Sequence, residues 1–177
     1  SLRRFESFSP QIPIHSAVPP RRVSMAPDTR GRFYENGLRF SCTRCNLCCR
    51  FDSGYVWLSR RDLADLAAGL DLTAGEVVRR YCRVVDIAGF RQLSLREQEN
   101  MDCIFWRDGA CSVYGSRPLQ CRSFPFWSHQ LVDRETWDRT GDHCPGVNHG
   151  ALHGADSIDS WLENRRVEPP INADSLE

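Results

Sequence analysis

The stretch Phe40-Ser41-Cys42-Thr43-Arg44-Cys45-Asn46-Leu47-Cys48-Cys49 constrains this chain more than any other. Four thiols crowd into eight residues, and Cys82, Cys103, Cys111, Cys121 and Cys144 follow downstream. Thiolate is a soft, strong ligand for zinc, Cu(I) and iron–sulfur clusters, so this density points to metal. A disulfide scaffold is the competing use of nine cysteines. Three features oppose it: the number is odd, adjacent Cys48 and Cys49 are badly placed to join each other, and no secretory signal is visible. The expectation is a reduced, cytoplasmic protein.

A length of 177 residues suits one domain, two at most. With 41% hydrophobic and 26% charged residues the chain has material for a core and a polar surface. Net charge is zero, which advertises neither a nucleic-acid nor a membrane partner, and no apolar run approaches a bilayer span. The expected partner is a redox or other protein. All 23 basic residues are arginine. A Schiff-base lysine, a P-loop lysine and a Ser–Lys dyad are therefore impossible. Arg44, Arg50, Arg107, Arg117 and Arg122 stand close to thiols in sequence, where they would offset the charge of a thiolate-bound centre.

Residues 1–32 read as an extended leader, since Pro10, Pro13, Pro19, Pro20 and Pro27 fall there without helical or alternating pattern. Phe5, Phe8 and Ile14 are its candidate anchors, and Met25 is a candidate initiator. Residues 33–177 form the expected domain. Tyr55 to Leu58 is rich in β-favouring residues and predicts a strand. Ser59 with Asp62 predicts a capped helix burying Leu63, Leu66, Ala67 and Leu70. Thr73 and Glu76 form a capping box for a second helix with Val77, Val78 and Tyr81 inward. Cys82 ends that helix, apart from the other thiols, and reads as a core cysteine.

Phe90 to Leu95 predicts a strand, and Asp108-Gly109 between apolar flanks predicts a hairpin that draws Cys103 and Cys111 together. Ser116-Arg117-Pro118 should start a short helix, with Pro118 at its first position, leading to Cys121. Ser157 should cap a C-terminal helix through Trp161 and Leu162. The fold class expected is α+β: a small irregular single domain with short helices and a β-hairpin, organised around cysteine-ligated metal sites.

The spacing Cys42-x2-Cys45-x2-Cys48 carries the most specific chemistry. Two overlapping C-x2-C steps are how bacterial ferredoxins begin to wrap a [4Fe–4S] cluster, whereas a zinc knuckle needs one step and a second pair elsewhere. The ferredoxin run ends in Cys-Pro three residues on; here Cys49 is adjacent and the Cys-Pro pair is the remote Cys144-Pro145. With Cys82 set aside, eight thiols suffice for two four-thiolate sites, or one site and a reactive pair. Phe51, Phe105, Trp106, Phe124, Phe126 and Trp127 are placed to keep water from such a centre. His143, beside Cys144, is the first histidine to consider as a mixed ligand, ahead of His149, His153 and His129. No Gly-rich phosphate loop, Gly-x-Ser-x-Gly elbow or His-Glu-x-x-His helix is present, and the carboxylates show no acid–base pairing.

Several blocks together resemble a known family. Gly37-Leu38-Arg39-Phe40-x-Cys42-x-x-Cys45-x-x-Cys48-Cys49 is similar to the signature of the YkgJ-like CxxCxxCC cysteine-cluster proteins. Cys103, the stretch Asp108-Gly109-Ala110-Cys111-Ser112-Val113-Tyr114, and Arg117-Pro118-Leu119-Gln120-Cys121-Arg122-Ser123-Phe124-Pro125-Phe126 resemble that family's later blocks. The resemblance covers about residues 37–146. It implies a zinc- or iron-chelating domain, with Cys42, Cys45, Cys48, Cys49, Cys103, Cys111, Cys121 and Cys144 as candidate ligands, and it implies little about a reaction. Three functions stay open: an iron–sulfur protein in redox chemistry or redox-assisted modification, which the overlapping steps favour; a zinc-stapled interaction module without catalysis; and an iron enzyme with mixed Cys/His ligation through His143.

Overall fold

A short strand, β1 (Leu38–Phe40), leads into the cysteine-rich stretch, which ends in a 3₁₀ turn at Leu47–Cys49. Helices α1 (Arg60–Leu70) and α2 (Ala74–Tyr81) follow, then strands β2 (Cys82–Ile87), β3 (Phe90–Leu95), β4 (Trp106–Arg107) and β5 (Ala110–Cys111). Helices α3 (Leu119–Ser123) and α4 (Arg134–Thr140), strand β6 (Val147–His153) and helix α5 (Ala155–Val167) complete the order. This computed structural model describes residues 31–50 and 53–176. The leader with Phe5, Phe8, Ile14 and Met25 lies outside the described residues, as does Phe51. The chain divides between Gly31 and Arg32, and the second unit carries all nine cysteines.

The architecture is α+β, with three separate antiparallel strand pairs: β1 with β6, β2 with β3, and β4 with β5. Local chemistry accounts for the first two helices. Ser59 and Asp62 cap α1 reciprocally, and Thr73 and Glu76 do the same for α2, so orphan N–H groups at both starts are satisfied by side chains. Leu63, Leu66 and Ala67 of α1 and Val77 of α2 then turn inward at helical spacing. Asp108 and Gly109 both hold positive φ (50° and 77°), the backbone of a type I′ turn, and set Trp106 opposite Cys111.

Other elements depart from local expectation. Tyr55–Leu58 is not a full strand: Leu58 N donates to Leu93 O and Leu95 N to Val56 O, but the chain turns at once into α1. Pro118 sits outside α3 at its N-cap with ψ 152°, because the preceding 3₁₀ turn Tyr114–Ser116 delivers the chain in extended form. Ser157 lies within α5 and Gly154 stands at the N-cap, because β6 runs on to pair His153 with Leu38 and leaves no room for a longer lead-in. The β1–β6 pairing and the Asp133-capped α4 were not expected. Strands β1 and β6 are 107 residues apart, from Phe40 to Val147, and only the folded chain brings them together.

Two apolar cores result. The first gathers Leu58, Leu63, Leu66, Val77, Leu93 and Phe105 with Cys82. The second gathers Tyr34, Phe40, Phe126, Trp137, Val147 and Ile158 with Cys144. Full burial of a side chain such as Leu66 or Ile158 stabilises by about 1.5–3 kcal/mol. Trp137, wholly buried, stacks on Phe126 at 5.6 Å, and its indole N–H donates to Asn148.

Candidate metal centre

The cysteine-rich stretch runs from one core to the other. At its start Phe40 packs in the second core, and Ser41 is held from both sides: Ser41 N donates to Gly146 O, and Ala151 N donates to the Ser41 hydroxyl. A Cβ at Gly146 or Gly150 would collide with Ser41, so the close approach depends on glycine at both places. At its end Cys103 N donates to Cys49 O at 2.8 Å, and Arg50 Nε donates to the buried Asp102 carboxylate. Arg50 also lies over the Trp106 ring. These anchors fix both ends of the stretch.

Between them, Cys48 is the thiol whose charge acts on several others. Its charge raises the pKa of Cys49, Cys103, Cys111, Cys121 and Cys144, so it lies within electrostatic reach of thiols from three other segments. The Cys48 and Cys49 sulfurs are 3.8 Å apart. Donation from the Cys49 thiol, helped by Arg117, brings Cys48 down from 9.0 to about 7, and the same bond with burial pushes Cys49 up. Burial first, then neighbouring thiolate charge, raises Cys121; burial likewise raises Cys103 and Cys111. Cys144 is buried in the second core, and Cys45 acts on it. Cys42 and Cys45 are exposed. Cys82 sits 3% exposed in the first core with its pKa raised by burial to about 11, as a core cysteine should be.

His143 is exposed, His153 is committed to Phe40 O and to the Phe40 and Phe126 rings, and His129 packs on Trp127. All nine cysteines are free. Among the described residues no three His, Cys, Asp or Glu side chains stand at the spacing of a bound ion. The expected organisation of the domain around cysteine-ligated metal sites is therefore not shown by the described side chains.

Sequence reasoning missed the residues that hold the thiols in place. Asp62 is the clearest. Besides capping its own helix, its buried carboxylate accepts from Leu119 N at 2.6 Å, the first residue of α3, which carries Cys121. Arg122 approaches the same carboxylate at 3.9 Å. Only the capping half of this role is visible in local spacing. The lowered Cys48 has a direct check. In metal-free protein, alkylation of Cys48 by iodoacetamide should rise with a midpoint near pH 7, since the thiolate is the reactive form and persists down to that value. Cys49→Ala should return the midpoint towards 9.0.

Residues 41–145 match the CxxCxxCC family, described as "Putative zinc- or iron-chelating domain". That is more than half of the chain, and the chain belongs to this family. Among curated proteins it is similar to the uncharacterized protein MJ0661 of Methanocaldococcus jannaschii, 31% identical over 110 residues that cover 60% of this chain and 56% of the relative. The chain thus spans just over half the length of that relative. No solved structure matches it. Membership supports metal binding by the cysteine-rich blocks. Among the described residues no helix is long and apolar enough to cross a membrane.

Proposed function

We propose that this chain is an iron–sulfur protein whose cluster is ligated by thiols from the set Cys42, Cys45, Cys48, Cys49, Cys103, Cys111, Cys121 and Cys144. The observation that carries the reading is the Cys42-x2-Cys45-x2-Cys48-Cys49 run, with thiols from later segments that feel the charge of Cys48. Five thiols lie within its electrostatic reach, and Cys45 joins through Cys144. Seven thiols exceed the four that one tetrahedral ion takes. The overlapping Cys42-x2-Cys45-x2-Cys48 steps favour a cluster over two separate ions. The donor set fits: soft thiols, flanked by the Arg117 guanidinium to balance charge and by Phe105 and Trp106 to limit water. When bound, such a centre supplies one-electron transfer, and the protein's own part is to hold Cys48 as a thiolate and to fix both ends of its loop.

One distance favours a second reading. Two thiolates on one tetrahedral ion at about 2.3 Å lie about 3.8 Å apart, which is the Cys48–Cys49 separation. A zinc ion held by that pair with two of Cys103, Cys111 and Cys121 would staple the cysteine-rich stretch to the first core and need no redox role. Metal and acid-labile sulfide per chain, measured with the absorption spectrum on anaerobically purified protein, separates the readings. Iron with equal sulfide and a broad band near about 400 nm supports the cluster. Zinc without sulfide replaces it with the staple, and iron without sulfide returns His143 to consideration.

A further inference from the structure

The thiol-bearing stretches 42–50 and 103–123 contain Arg44, Arg50, Arg107, Arg117 and Arg122 against one carboxylate, Asp108, in a chain whose net charge is zero. Three other carboxylates near this pole are already matched. Glu97 pairs with Arg83 at 2.8 Å, Asp102 with Arg50 at 3.2 Å, and Asp62 lies 3.9 Å from Arg122. Arg44 and Arg117 differ: among the described residues neither meets a carboxylate. Both instead lie over one ring, that of Tyr114, at 4.7 and 3.5 Å from its centroid. One aromatic face attracts a cation without neutralising it, so the Arg44 charge in particular stays uncompensated by the ring. Arg117 commits its Nε to Tyr114 O and keeps its terminal N–H groups, while Arg44 is exposed. Planar guanidinium edges of this kind match carboxylates.

We infer that this face, with Arg44 and Arg117 stacked on Tyr114, is the docking surface for an acidic protein partner. The inference rests on the proposed metal centre only in placing the docking face at the thiols. Openness favours a macromolecule over a small ligand: Cys42, Cys45 and Cys48 are exposed beside Arg44, and Leu47, 42% exposed, adds an apolar contact at the same turn. Surplus charge around a small apolar point suits transient, charge-steered association, in which rim charges set encounter rate and salt dependence.

The test is fluorescence anisotropy of a labelled oligoglutamate peptide with the full, metal-loaded chain. Binding should be strong at low salt and should fade as ionic strength rises from about 0.1 to about 1 M, where the screening length falls from about 10 to about 3 Å. The pair Arg44→Gln and Arg117→Gln should weaken it about fivefold or more. Arg44→Glu alone, at an exposed side chain, should weaken it without touching the fold. The pair Arg139→Gln and Arg166→Gln, at exposed arginines already bonded to Glu135 and Glu163 within their own helices, should leave it unchanged. Equal binding by the Arg44 and Arg117 variants overturns the inference. So does tighter binding of an oligothymidylate strand or of anionic phospholipid vesicles than of the peptide. Metal content measured on the same samples keeps the two claims apart: a metal-loaded chain that ignores the peptide sinks the docking surface alone, and a metal-free chain that binds it sinks the metal centre alone.

Discussion

Cys48→Ser is expected to weaken metal binding by more than about 100-fold, beyond the cost of losing even an outer-shell partner of a metal site. The reason is position. Cys48 is the thiol whose charge reaches Cys49, Cys103, Cys111, Cys121 and Cys144, so its loss removes the common member of the set. Serine keeps the volume, but its hydroxyl gives up no proton at neutral pH and is a harder donor. Metal per chain after gel filtration is the measurement. The control is Cys82→Ala, which should keep full metal content and lose about 1 kcal/mol of stability, because Cys82 opens β2 opposite Leu95 of β3 with its side chain buried in the first core. Full metal retention in Cys48→Ser, or metal loss in Cys82→Ala, would refute the assignment.

Asp62→Ala should be the most damaging change away from the thiols. The carboxylate is 2% exposed and accepts from Ser59 N, the Ser59 hydroxyl and Leu119 N. Alanine leaves the Ser59 and Leu119 N–H groups without this acceptor, the Ser59 hydroxyl with only a long contact to Glu168, and Arg122 without the Asp62 carboxylate. A cost of about 3 kcal/mol follows from the lost cap and the stranded buried donors. For a domain of this size that lowers Tm by about 10 °C. Because Leu119 N belongs to the helix that carries Cys121, the metal-loaded variant should also surrender its metal to a chelator faster than wild type. Thr73→Ala removes a cap of the same type at α2 but makes no such link, so it should cost about 1 kcal/mol and leave the chelator rate unchanged. Equal chelator rates for the two variants would show that Asp62 serves only its own helix.

Much of the first core was legible locally. The Ser59/Asp62 and Thr73/Glu76 boxes, the helical spacing of Leu63, Leu66 and Val77, and the Asp108-Gly109 turn each depend on residues within one or two turns of chain. Ser157 and Pro118 misled for a tertiary reason. Each has the residue type of a helix start, but β6 and the Tyr114–Ser116 turn fix where the helices begin. The second core was barely legible, because β1 must find β6 across most of the domain, through a register that jumps between Arg39 and Phe40. No local periodicity records such a partner.

The candidate site divides the same way. The sequence alone determined which side chains have metal-binding chemistry, since thiol softness and the Cys42-x2-Cys45-x2-Cys48-Cys49 spacing are properties of the chain. It also separated Cys82 from the rest by pattern. Tertiary structure alone decided that the Cys48 charge acts on thiols from later segments and that Asp62 anchors the Cys121 helix. It also left Arg44 and Arg117 without a carboxylate partner among the described residues. The physical reason is that electrostatic reach and hydrogen bonding act through space. Ser59 and Leu119 are 60 residues apart and meet at one carboxylate only after both cores have formed.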